Sequence, residues 1–157
     1  MKLLAINLIK LVDVMSSTLS PLQPVLSVAG RIYVSWVFFA SGLTKIADWE
    51  STLFLFEYEY QVPLLNFVLA AYLATIAELL APVLLFFGFA SRLSAIVLGV
   101  VNVVAVISLE EIAPAALYGH VIWGLILLHV TFWGAGKLSG DHLLRKQLTN
   151  FLPARQA

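Results

Sequence analysis

Cysteine is absent from this 157-residue chain. That excludes disulfides, a dithiol redox pair, thiolate-held zinc or iron–sulfur centres and a cysteine nucleophile among its residues. Charge is scarce as well: 11% of residues are Asp, Glu, Lys or Arg, where a soluble domain carries about 25%. Nine basic residues balance nine acidic ones, and no Lys/Arg run interleaved with aromatics is there to track a nucleic-acid backbone. Nucleic acid is excluded as a partner on that ground. Missing too are a P-loop, a GxGxxG after a strand, an HExxH and a GxSxG elbow, so nothing assigns a soluble-enzyme activity. Whether the chain catalyses anything by itself is open at this stage.

What fills the chain is hydrocarbon. Hydrophobic residues make up 61% of it, and the mean hydropathy is +0.97. A soluble fold of that composition would leave much apolar surface in water, whereas a bilayer accommodates it. Four stretches, at about 25–43, 64–87, 93–109 and 115–133, are read as transmembrane helices. About twenty residues rising ~1.5 Å each cross a hydrocarbon core of roughly 30 Å. Short connections make consecutive helices antiparallel. The expected fold is therefore all-α, an integral membrane antiparallel four-helix bundle over about 25–143. Small residues such as Ser35, Gly42, Gly99 and Gly124 would let its backbones approach.

Residues 1–20 do not read as a cleaved signal peptide, because Lys10 and Asp13 interrupt the apolar run and no A-x-A-like site follows. At helical spacing Lys2, Asn7, Lys10, Asp13 and Ser17 form a polar stripe, which predicts an amphipathic interfacial helix. Residues 144–157 form a polar tail. If the N-terminus is cytoplasmic, Lys2, Lys10, Arg92, Lys137, Arg145, Lys146 and Arg155 lie inside and only Lys45 lies outside. That positive-inside bias predicts a multi-pass membrane protein with both termini cytoplasmic. On this placement Lys45 and Asp48 belong to a solvated outer rim, and Thr52–Phe56 to a short interfacial helical turn.

Polar residues at membrane depth are the candidates for function, because each must find a partner inside the bundle. Arg31 shares a helical face with Ser35, Gly42 and Lys45. Counted from the predicted span ends, Arg31 and Glu78 lie about 9 Å and about 14 Å deep, which predicts an interior Arg31–Glu78 ion pair. Asn102 and His129 complete the candidate cluster. The pair either fixes helix register or marks a site for a quinone head group, another ligand or a proton. Pro82, one turn beyond Glu78, would leave backbone carbonyls free beside it. His120 and His129 are nine residues apart on opposite faces, so they do not chelate one metal within one helix, and haem is disfavoured.

Three pieces in order carry a resemblance: GRIYVSWVFFASGLTKI (30–46), AELLAPVLLFFGFASRLSA (77–95) and the glycine-rich exit WGAGKLSGD (133–141). With Arg31, Gly42, Lys45, Glu78, Pro82, Gly88, Arg92, Gly134, Gly136, Ser139 and Asp141, the chain resembles the DoxX family of small four-span bacterial membrane proteins over about Val25 to Leu143. The resemblance implies a small subunit or accessory protein of a respiratory or oxidative-stress-related redox system, with a quinone near Arg31 and Glu78 and Gly134 and Gly136 shaping the last exit. It further implies a membrane redox partner or a homo-oligomer. Two other classes stay open: a non-catalytic scaffold and a small-metabolite permease.

Overall fold

The computed structural model describes residues 2–151; Arg155 and the end of the tail lie outside the described residues. Every regular element among them is helical: α1 (Lys2–Leu19), α2 (Leu22–Ala47), α3 (Trp49–Tyr58), α4 (Phe67–Phe87), α5 (Ser91–Ile107), α6 (Pro114–Trp133) and α7 (Gly140–Phe151). Three of them, α2, α4 and α6, are long and apolar enough to cross a membrane. The fourth expected span, α5, is apolar but has 17 residues, about 25 Å of helix. Helix α2 packs on α4, α4 on α5, α5 on α6 and α6 back on α2. The all-α membrane bundle predicted from hydropathy is the fold found.

Local chemistry sets the helix ends. Asp48 caps α3, its carboxylate accepting from the Ser51 N–H at 3.0 Å and the Ser51 hydroxyl at 2.6 Å. Both bonds favour the ionised form and hold that exposed carboxyl below its ordinary range. Asn66 caps α4 by accepting from the Val68 N–H, and Pro114 opens α6, where its missing N–H costs nothing. Gly88 closes α4 at φ +73°, with Phe89 N–H reaching back to the Leu84 carbonyl at 2.8 Å. This is a Schellman turn, which needs a residue tolerant of left-handed φ.

Between the four packed helices Val34, Phe38, Ala81, Leu85, Ala95, Leu98, Leu127 and Val130 form the main core. A second cluster of Phe56, Ala70 and Ala71 lies under α3, walled by Trp49, Leu53, Tyr60 and Phe67. The outward faces are as apolar as the core: Leu73, Ile76, Leu80, Leu125 and Leu128 are all exposed. In water that surface would aggregate; against acyl chains it is the matched solvent boundary. The described side chains of α1 are exposed along its whole length.

Residues 45–63, where the sequence predicts a short helical turn at Thr52–Phe56, contain the longer ten-residue helix α3, which folds back onto α2 and α4. The Trp49 ring lies 4.6 Å from that of Tyr72, and the Thr52 hydroxyl donates to the Lys45 carbonyl. The polar tail begins within a helix, α7.

Candidate functional site

Alignment of α2 against α4 decides which polar side chains meet. Gly42 lets the two backbones close: a Cβ there would meet Leu79 Cδ2 at 2.9 Å and the Glu78 carbonyl carbon at 3.2 Å. Farther along the same antiparallel pair, Gly88 abuts the Arg31 guanidinium. Arg31 and Glu78 therefore stand at different levels, separated along α2 by the eleven residues from 31 to 42, about 16 Å.

The expected Arg31–Glu78 ion pair is not formed. Helix α2 starts at Leu22 and overhangs the end of α4, so Arg31 is level with Gly88 and not with the middle of α4. Arg31 is 3% exposed. Its Nη2 donates to the Leu138 carbonyl at 3.0 Å and its Nη1 to the Ala135 carbonyl at 3.4 Å. Glu78, equally buried, accepts instead from Lys45 Nζ at 2.6 Å. The ammonium also donates to Ser41 Oγ at 2.9 Å. Lys45 is thus not a rim residue: α3 lies over it, and its side chain is 17% exposed.

Tyr60, in the α3–α4 connection, lies close by, its ring 5.0 Å from that of Phe56. Burial, and after it the charges of Glu78 and Glu59, raise its phenol above the ordinary value. An ammonium, a hydroxyl and a carboxylate thus converge beneath α3, with the Tyr60 phenol near enough to feel the Glu78 charge. The arrangement can donate hydrogen bonds to a carbonyl oxygen and hold or accept a proton at Glu78. One turn beyond Glu78, an apolar groove of about 320 Å³ runs along the α2–α4 seam, lined by Ile32, Trp36, Phe39, Pro82 and Phe86. Ser35 Oγ, buried in its wall, has no hydrogen-bond partner. Pro82 supplies no N–H to the Glu78 carbonyl four residues earlier, so this stretch of α4 retains an unused acceptor.

The other two members of the expected cluster lie elsewhere. Asn102 makes a two-point bond with His120: its Nδ2 donates to the His120 carbonyl at 2.9 Å, and its Oδ1 lies 2.9 Å from Nδ1 of the ring. This fastens α5 to α6, the interhelical role an amide takes in hydrocarbon. His129 stacks on Trp133 at 5.3 Å and 15° and joins neither Glu78 nor Asn102. Among the described residues no group of three or more His, Asp or Glu side chains is placed to hold a metal.

At the opposite end the glycine-rich exit forms a second polar assembly. Asp141 accepts from the Ala90 N–H at 2.8 Å, the Ser91 N–H at 2.9 Å and the Ser91 hydroxyl at 2.7 Å, capping α5 from fifty residues away. Burial opposes its charge, but these bonds and nearby Arg145 outweigh it and hold the carboxyl below the ordinary range. The Asp141 N–H donates to the Gly88 carbonyl, and Ser139 Oγ accepts from the His142 N–H at the start of α7. Gly134 (φ +78°, ψ −174°) and Gly136 (φ +78°) make the turns that bring these groups together, the first in a region open only to glycine. Arg31 completes the knot from α2.

A membrane-embedded helical bundle with a buried ion pair at one end and a hydrogen-bonded knot at the other is the class of protein these features define. The sequence model of the DoxX family matches residues 26–111, more than half of the chain. The chain belongs to the DoxX family. The match takes in Arg31, Gly42, Lys45, Glu78, Pro82, Gly88 and Arg92 and ends before the 133–141 exit. No curated protein and no solved structure matches the chain.

Two residues of the site, Ser41 and Tyr60, were not singled out by sequence reasoning. A signal for the first was present, since Ser41 lies one turn before Lys45 on α2. Nothing in the local sequence marks Tyr60, which reaches the site only because α3 turns the chain back.

Proposed function

We propose that this DoxX-family protein is a small membrane subunit or accessory protein of a redox system, and that it binds a quinone head group beside Lys45, Glu78 and Tyr60. The observation that carries this reading is the buried Lys45–Glu78 pair at 2.6 Å, set one helical turn from an apolar groove. A quinone pairs two carbonyl oxygens with a long apolar tail. Lys45 and Tyr60 match the first as donors, and the groove walled by Trp36, Phe39 and Phe86 matches the second. Arg31, expected at the same site, has no part in it. Electrons would come from a partner subunit. We further place both termini in the cytoplasm and α1 along the inner membrane surface, as the distribution of Lys and Arg supports.

The test is the quinone content of protein purified from native membrane in mild detergent. Lys45→Met and Glu78→Gln are each expected to lower quinone per folded protein roughly tenfold, which corresponds to ~1.4 kcal/mol of binding. Equal quinone content in wild type and both variants rejects the site.

A second reading, a non-catalytic scaffold, is favoured by one observation: Glu78 and Arg31 already have partners within the fold. On that reading the same substitutions act on stability alone, and wild-type protein carries no quinone.

A further inference from the structure

At the end of the bundle away from Lys45 and Glu78, a cavity of about 540 Å³ lies between the start of α5, the exit of α6 and α7. Arg92, Lys137 and Arg145 line it together with Trp133, Leu144 and Leu148. We propose that this cavity binds the phosphate of an anionic amphiphile, the three cations holding the phosphate and the apolar wall receiving the chains.

Charge is the first argument. Among the described residues, none of the three cations forms an ion pair; the Lys45–Glu78 contact is the pair present. Asp141 and His142 also line the cavity, but both Asp141 oxygens are committed to the Ala90 and Ser91 N–H groups and the Ser91 hydroxyl. Arg92 uses one donor on the Phe132 carbonyl at 3.3 Å, which fixes its guanidinium and leaves its other N–H groups free. Three cations against one engaged carboxylate, in a concave site with apolar walls, concentrate positive potential and favour an anion. A phosphate suits a mixed set of guanidinium and ammonium donors.

Shape and surface are the second argument. A lone phosphate would leave most of about 540 Å³ to water, which occupies ~30 Å³ per molecule. Trp133 is 69% exposed and Leu148 58%, a wet apolar wall unless chains cover it. Leu144 and Leu148 lie one turn apart on α7 while Arg145 sits beside them, the division of faces found in helices lying at a lipid interface. Polar and apolar walls thus meet where a phospholipid changes from head group to chain.

The full-length protein in detergent is offered phosphatidylglycerol, phosphatidylcholine of the same chains, or inorganic phosphate, and is read by native mass spectrometry and melting temperature. Wild type is expected to retain phosphatidylglycerol over phosphatidylcholine and to melt higher with it. Because each basic residue near an anionic head group is worth roughly fivefold, Lys137→Gln with Arg145→Gln should cut the preference roughly thirtyfold. Lys137→Gln alone, at an exposed loop position, should cut it about fivefold and serves should the double variant fail to fold. Lys146→Gln, outside the cavity, should leave it unchanged. Displacement of the lipid by inorganic phosphate, or a rise in melting temperature with phosphate alone, would support the phosphate site and assign it to a soluble phosphate. Equal retention of the two lipids with no effect of phosphate, or a preference untouched by loss of Lys137, overturns the proposal.

Discussion

Removing the Lys45 ammonium isolates the Glu78 carboxylate in a nearly water-free place, and the size of the penalty follows from how buried each partner is. The side chains are 17% and 7% exposed, so the pair belongs with interior ion pairs, where loss of one partner costs about 3–5 kcal/mol. The partial exposure of Lys45 puts Lys45→Met near the lower end, at about 3 kcal/mol. Glu78→Leu leaves the ammonium with Ser41 alone and should cost a similar amount. The double variant replaces both charges with apolar groups in an apolar setting and should cost about 1 kcal/mol or less. Unfolding titrations in mixed micelles, followed by tryptophan fluorescence, close the cycle and should give a coupling of several kcal/mol. The parallel cycle of Arg31→Met with Glu78→Leu should be additive within about 0.5 kcal/mol, because those residues share no partner. Single-variant losses under ~1 kcal/mol, the range of a solvated surface pair, or coupling in the Arg31 cycle instead of the Lys45 cycle, would refute this reasoning.

Other consequences concern the knot at the far end. Asp141→Asn should cost about 1 kcal/mol through the α5 cap, read in the same titration. Because folding depresses the Asp141 carboxyl, its contribution is complete above the ordinary value of 3.8 and is lost as pH falls below that through the folded value. The Asp141→Asn variant should therefore show a flatter loss of stability in that acid window. Gly88→Ala combines a left-handed φ with a Cβ driven into Arg31 and into Ser139 Cβ at 2.7 Å; at least 1–2 kcal/mol is expected from the backbone alone. It should also release the exit loop, measured as faster tryptic cleavage at Lys137.

Hydropathy revealed the bundle because a 3.6-residue helix in lipid has to be apolar on nearly every face, and α2, α4 and α6 are. The polar face of α2 was legible too: Arg31, Ser35 and Gly42 are all buried there, as steps of three and four predicted. Partner choice was not legible. It depends on the sliding of α2 against α4, which is set by the Gly42–Leu79 contact and by the overhang of α2, neither of which leaves a mark in either segment alone. Lys45 looked solvated because a chain leaving a span is expected to enter water, whereas α3 doubles back over it. His120 was placed on the face opposite His129 by counting along α6; that this face meets Asn102 depends on the rotation of α6 against α5, which the spacing alone does not give. The 133–141 exit was legible as a motif, but its work became visible only when Asp141 was seen capping a helix fifty residues earlier.

The head-group site is tested most directly by illuminating native membranes with an azido-quinone and mapping the labelled peptides by mass spectrometry. Labels on the Ser41–Trp49 and Tyr72–Phe86 stretches, lost in Glu78→Gln, are the predicted outcome. Labels confined to α5 and α6, or unchanged in that variant, would contradict it.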